Sequence, residues 1–127
     1  PKKKKMTVKD HYDMHHGPGE LDKAIELLDN ENREDFRNWV NTSQSFNANN
    51  VFICRSRSLY NDYCKSLFQW LEKCETLFGF DPNRSYSRIR VYAFLSERYL
   101  SYWFKKNSNY IECPMNFHDI TNDKINF

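Results

Sequence analysis

Residues 88–104 read RIRVYAFLSERYLSYWF, an aliphatic and aromatic run with an acid and a base, Glu97 and Arg98, side by side near its centre. At helical spacing, Val91, Leu95, Arg98 and Tyr102 fall on one stripe, and Arg90, Phe94, Glu97 and Ser101 on the next. A charge buried without a partner costs on the order of several kcal/mol. Glu97 therefore needs a cation beside it, a shifted pKa or a polar cleft. Arg90, two turns earlier on the same face, could bring a guanidinium to Glu97 or share an anionic ligand with it. Two chemistries follow. One is a structural ion pair that fixes helix packing. The other is a cleft-facing carboxylate acting as general base, with arginines holding a phosphate or a sugar.

His11, His15 and His16 cluster with Asp10, Tyr12 and Asp13. Gly17-Pro18 prevents a helix from running through them, so they read as a surface-loop cluster, with metal ligation as the sharper alternative. His118 and Asp119 form a second weak ligand pair. There is no Asp-x-Asp, no G-x-G-x-x-G, no P-loop and no serine elbow, so the usual phosphate and metal motifs are not encoded.

These groups must be positioned by a chain of 127 residues, one domain at most. Hydrophobic content of 39% and aromatic content of 17% suffice for a packed core. A net charge of +2 argues against a strong global field for nucleic acid. No apolar run approaches the roughly 18 residues of a membrane span, and no signal peptide is visible. Cys54, Cys64, Cys74 and Cys113 lack zinc-type spacing and read as reduced thiols.

Leu21, Ala24, Ile25 and Leu28 mark a short amphipathic helix after the Gly17-Pro18-Gly19 turn. Phe36, Trp39 and Val40 mark a second. NANNVFICRS reads as a short buried strand ending near Cys54. Ser56 or Ser58 then caps the longest helix, with Tyr60, Tyr63, Cys64, Leu67, Phe68, Leu71, Cys74, Leu77 and Phe78 near one stripe and Gly79 at its end. Residues 88–104 form the next helix, about 25 Å long at 1.5 Å per residue. NSNYIECPMNF reads as a loop and a final strand or extended run, and 118–127 as a polar tail. Two strands with about four helices suggest part of an α/β domain whose other strands lie outside the chain.

Several of these motifs resemble the C-terminal half of a bacterial family of capsular and exopolysaccharide biosynthesis proteins, regarded as GT-A-like glycosyltransferases. The likeness runs over roughly residues 1–115. Tyr12, His16, Glu20 and Leu21 match its Tyr, His and acid-Leu pattern. Asn50, Phe52 and Ile53, then Tyr63, Cys64, Leu67 and Phe68, match its strand and following helix. Arg90, Phe94, Leu95, Glu97 and Arg98 match an Arg-x-x-Gly-Phe-Leu-x-Glu-Arg signature, with Ala93 at the glycine; Lys65 and Trp70 are unusual in the long helix.

The resemblance implies a Rossmann-like α/β fold over 1–117, the acceptor-side part of one glycosyltransferase domain, with the nucleotide-binding sheet in an absent N-terminal half. The lysines at 2–5 become a strand-to-loop edge. It implies Glu97 as catalytic base and Arg90, Arg98, Tyr12, His16 and Asn50 as substrate-binding, with Tyr12 and His16 on a mobile loop. The implied partners are a UDP-linked sugar donor and a glycan or lipid-linked glycan acceptor, with no nucleic acid. It leaves room for a divalent Mn or Mg ion in the full-length enzyme, with no ligand for it in this chain. The setting is the bacterial cytoplasm, at the inner face of the membrane for the full-length protein, and the chain alone is expected to be inactive. The rival from another class is a basic helical nucleic-acid-binding module using Lys2 to Lys5 with Arg55, Arg57, Arg84 and Arg88.

Overall fold

The computed structural model describes residues 5–116. The first helix, α1 (Val8–His16), is the element the histidine cluster conceals. Thr7 caps it: its hydroxyl accepts from Asp10 N at 3.1 Å, and its own N–H donates to Asp10 Oδ2 at 3.0 Å. This reciprocal capping box satisfies two donors that a helix start leaves open. Gly17, at φ 124°, ends the helix one residue after the histidines. The Gly-Pro turn thus limits the helix without excluding it, and His11 and His15 sit one turn apart on α1 rather than in a loop.

Helix α2 (Glu20–Glu26) buries Leu21, Ala24 and Ile25, as their spacing predicts. Helix α3 (Asn30–Thr42) starts at Asp29, whose carboxylate accepts from Asn32 N at 2.9 Å, and buries Phe36 and Val40. Helix α4 (Arg57–Phe78) is capped by Ser56 through Leu59 N at 3.2 Å and ends at Gly79, where φ is 70°. Its buried stripe is narrower than expected: Tyr63, Leu67, Trp70 and Cys74 face inward, while Tyr60, Phe68 and Leu77 lie exposed. A short turn of helix, α5 (Tyr86–Ile89), leads directly into α6 (Val91–Asn107).

Helix α6 packs on α4 and α3, and α1 packs on α2 and α3. At the centre, Phe36 meets Trp70 and Tyr99 edge-on, with ring centroids 5.7 and 5.5 Å apart. The polar tips of these rings are satisfied inside the core. Trp70 Nε1 donates to Ala24 O at 2.7 Å, Tyr102 donates to Asn32 Oδ1 at 2.9 Å, and the Tyr99 hydroxyl shares a hydrogen bond with Ser66 at 2.6 Å. The unusual Trp70 thus ties α4 to α2.

No strand occurs among the described residues, which overturns the α/β, Rossmann-like expectation; the fold is a small helical domain. The segment expected as a buried strand, 51–55, is surface chain with Ile53 97% exposed. Asn49 and Asn50 turn the backbone through positive φ, 74° and 50°, immediately before it. β-branched residues favour a strand only when another strand is there to pair, and none is present among the described residues. The run at 109–116 likewise forms no strand, with Ile111 90% exposed. Lys5 is exposed chain leading to Thr7, not a strand edge. The other lysines of the run, the polar tail, His118 and Asp119 lie outside the described residues. Among the described residues, no helix is long and apolar enough to cross a membrane.

Candidate functional site

Arg98 sits on the inner side of α6 and is 1% exposed, the largest fully buried side chain of the fold. Its guanidinium is enclosed by named groups from three directions. Along α6, Nη1 donates to Phe94 O at 3.0 Å and to Glu97 Oε2 at 3.2 Å. From α1, Nη2 meets His11 Nδ1 at 3.1 Å and His16 Nε2 at 3.4 Å. From the chain after α3, the Phe46 ring covers it at 4.4 Å, with the Tyr12 ring at 5.2 Å on another side. Aromatic faces attract a cation most where water is excluded.

Arginine carries donors and no acceptor. Both imidazole nitrogens must therefore accept, so His11 and His16 are neutral here. Burial and then Arg98 push both histidines below their ordinary pKa, His16 to about 4. His16 also stacks on Phe94 of α6, with centroids 3.9 Å apart. Burial pushes Arg98 itself down, against the pull of Glu97 and Tyr12. Arg98 Nε, His16 Nδ1 and Asp13 Oδ1 are buried without a hydrogen-bond partner.

Glu97 is partly exposed, as are His11 and His16. The Glu97 side chain is 12% exposed, and among the described residues Arg98 is its one ion-pair partner. Its Oε1 makes no hydrogen bond among the described residues and is not sealed from solvent. Arg98, the next residue, supplies the required cation, whereas Arg90 forms no ion pair with Glu97. Arg90 is exposed and holds the Tyr86 hydroxyl, with its guanidinium 5.2 Å over the Tyr86 ring and 5.6 Å over Phe94.

Tyr12 and His16 are on α1, not on a mobile loop. Tyr12 is fully buried and donates to Glu20 Oε1 at 2.6 Å; burial and Glu20 raise its pKa. Glu20 in turn pairs with Arg88. Asn50 is away from Arg98 and fastens its loop to α6: Nδ2 donates to Ala93 O at 3.3 Å, and Oδ1 accepts from Ser96 Oγ at 2.8 Å. Asn47 N donates to Ser101 Oγ at 2.7 Å one turn later, which sets Phe46 over Arg98.

The structure thus brings together Glu97, Arg98, Tyr12 and His16, and leaves Arg90 and Asn50 outside that cluster. Sequence reasoning singled out His11 only as a loop residue or metal-ligand candidate, not as a partner of Arg98, and missed Phe46. The Thr7-x-x-Asp10 box was the signal for His11, because it starts a helix that aligns His11 with the following turn. Phe46 lies in irregular chain and has no periodic signal.

Beside the cluster, a cleft of about 210 Å³ is lined by Met6, Thr7, Val8, His11 and the segment Gln44, Ser45 and Phe46. Among the described residues, no group of three or more His, Cys, Asp or Glu side chains could hold a metal ion. Residues 1–108 match a family described as a domain of unknown function, DUF4422. The chain belongs to that family. No curated protein and no solved structure matches it. The DUF4422 match spans every helix described above, from the α1 cap to the end of α6. All four cysteines of this DUF4422 chain are free thiols.

Proposed function

We propose that this chain is the acceptor-side part of a nucleotide-sugar-dependent glycosyltransferase that builds capsular, exo- or lipopolysaccharide, with Glu97 as general base. The observation that carries the reading is the asymmetry of the Glu97–Arg98 pair: Oε2 is engaged by a buried guanidinium while Oε1 is free to take a proton. Inverting transfer needs a carboxylate that removes the acceptor hydroxyl proton as the oxygen attacks the anomeric carbon. Arg98 keeps the carboxylate oriented, and the two neutral histidines keep Arg98 in place. The exposed Arg90 guanidinium, with donors left beyond its bond to Tyr86, suits the diphosphate of a UDP-linked donor. The likeness of the Arg90–Glu97–Arg98 spacing to the polysaccharide-synthesis signature supports the same substrate class.

The rival nucleic-acid reading has less support, because two of its arginines are occupied. Arg88 pairs with Glu20, and Arg84 with Asp81 at 3.6 Å. The test is release of nucleoside diphosphate from a panel of nucleotide sugars by the intact protein, with and without glycan acceptors. Acceptor-dependent release from one donor is the expected result. Release from none of the panel, by protein shown to be folded, counts against the proposal.

A further inference from the structure

Helices α1 and α6 meet at Arg98 through two imidazoles and no carboxylate. The carboxylates nearby are already engaged: Glu97 on Arg98, Asp13 Oδ2 on Lys9 at 2.6 Å, and Glu20 on Tyr12 and Arg88. The groups facing His16 are Arg98 and Phe94 from α6, and Tyr12, His11 and His15 from its own helix. Those facing His11 are Arg98 from α6, His15 from α1 and Phe46 from the following loop. On α6, Arg90 lies against the same Phe94 ring that His16 stacks on. Among the described residues, every charged neighbour that acts on either ring is therefore a cation or a potential cation.

We propose that His11 and His16 are a proton-operated latch: while neutral they accept from the buried Arg98 and fasten α1 to α6, and protonation of either ring parts α1 from α6. A protonated imidazole has no lone pair for Arg98 and places a second positive charge on a guanidinium that is 1% exposed. The direction of the charge equilibria agrees. Both histidines are held below their ordinary value, so their contribution is complete above the unfolded value of 6.5. It is lost as the pH falls from there through about 4, the value of His16 in the fold. The latch is tested apart from the glycosyl-transfer reading, since its readout is the contact of α1 with α6 and not turnover.

The experiment is long-range ¹H–¹⁵N spectroscopy of the histidine rings, with amide exchange followed in parallel between pH 7.5 and 3.5. At neutral pH, His11 is expected as the Nε2–H tautomer and His16 as the Nδ1–H tautomer. Both should titrate below the ordinary histidine range, and α1 amides should lose protection over the same interval while α4 amides keep theirs. The H11N/H16Q variant places amide oxygens where Nδ1 and Nε2 accept, and neither can titrate. It should retain α1 protection at pH values where the parent has lost it. The α1 carboxylates are common to both proteins, so the comparison isolates the histidines. The same acid loss in the variant, or rings in the parent titrating near 6.5 with α1 still docked, would overturn the latch. Should the variant not fold, the parent ring titration decides alone.

Discussion

Arg98 Nη1 donates to Glu97 Oε2 across 3.2 Å, although the two residues are consecutive on α6. Consecutive helical residues normally point about 100° apart. Here the arginine turns inward under Phe46 and Tyr12, and its end returns to the carboxylate. The pair is therefore a consequence of the whole cage rather than of α6 alone. Replacing Arg98 with Met should cost about 3–5 kcal/mol, the range for breaking a buried charged pair. Arg98→Lys should recover little, because one ammonium cannot serve Phe94 O, Glu97 and two imidazoles at once. Urea denaturation measures both; a midpoint unchanged by Arg98→Met would contradict the burial of this charge.

Trp70→Phe keeps the ring packing on Phe36 and removes the donor to Ala24 O. A buried carbonyl left unpaired should lower stability by about 1–3 kcal/mol. Thermal unfolding of the variant reads this, and a gain in stability would show that the α4–α2 bond contributes nothing.

Asn50→Ala and Ser96→Ala should not add independently, since one hydrogen bond at 2.8 Å joins the two side chains. A double-mutant cycle should give a coupling of about 0.5–1.5 kcal/mol. Strict additivity would mean that the loop carrying Phe46 is not fastened at this point.

Burial pushes the Cys74 thiol up to about 12, and the side chain is inaccessible. Iodoacetamide at pH 8 should modify exposed Cys113 first and Cys74 only on unfolding. Mass spectrometry of timed samples checks the order. Cys74 labelled as fast as Cys113 in native protein would place it at the surface.

The helices were legible where periodicity and caps agreed. Leu21, Ala24, Ile25 and Leu28 announced α2, and Ser56 and Gly79 bounded α4. The two strands were misread because Val51, Phe52 and Ile53 carry strand propensity without a pairing partner among the described residues. Local sequence cannot report that lack. Helix α1 was hidden by its polar composition: apart from Val8, Tyr12 and Met14 it offers no apolar residue, and its start is marked by the Thr7–Asp10 box. That omission also hid the contact of His11 and His16 with Arg98. The charged centre of α6 was legible as a problem in desolvation, but its solution was not. The cation came from the next residue rather than from Arg90, and its two imidazole partners came from positions more than eighty residues earlier.

The central claim, that Glu97 takes the acceptor proton, is tested most directly by the transfer rate of a Glu97→Gln variant of the intact protein. Glutamine keeps the shape and can still accept from Arg98, so fold and donor affinity should be retained while turnover falls by about 10²–10⁴-fold. Turnover within a few-fold of the parent would contradict the assignment of Glu97 as the base.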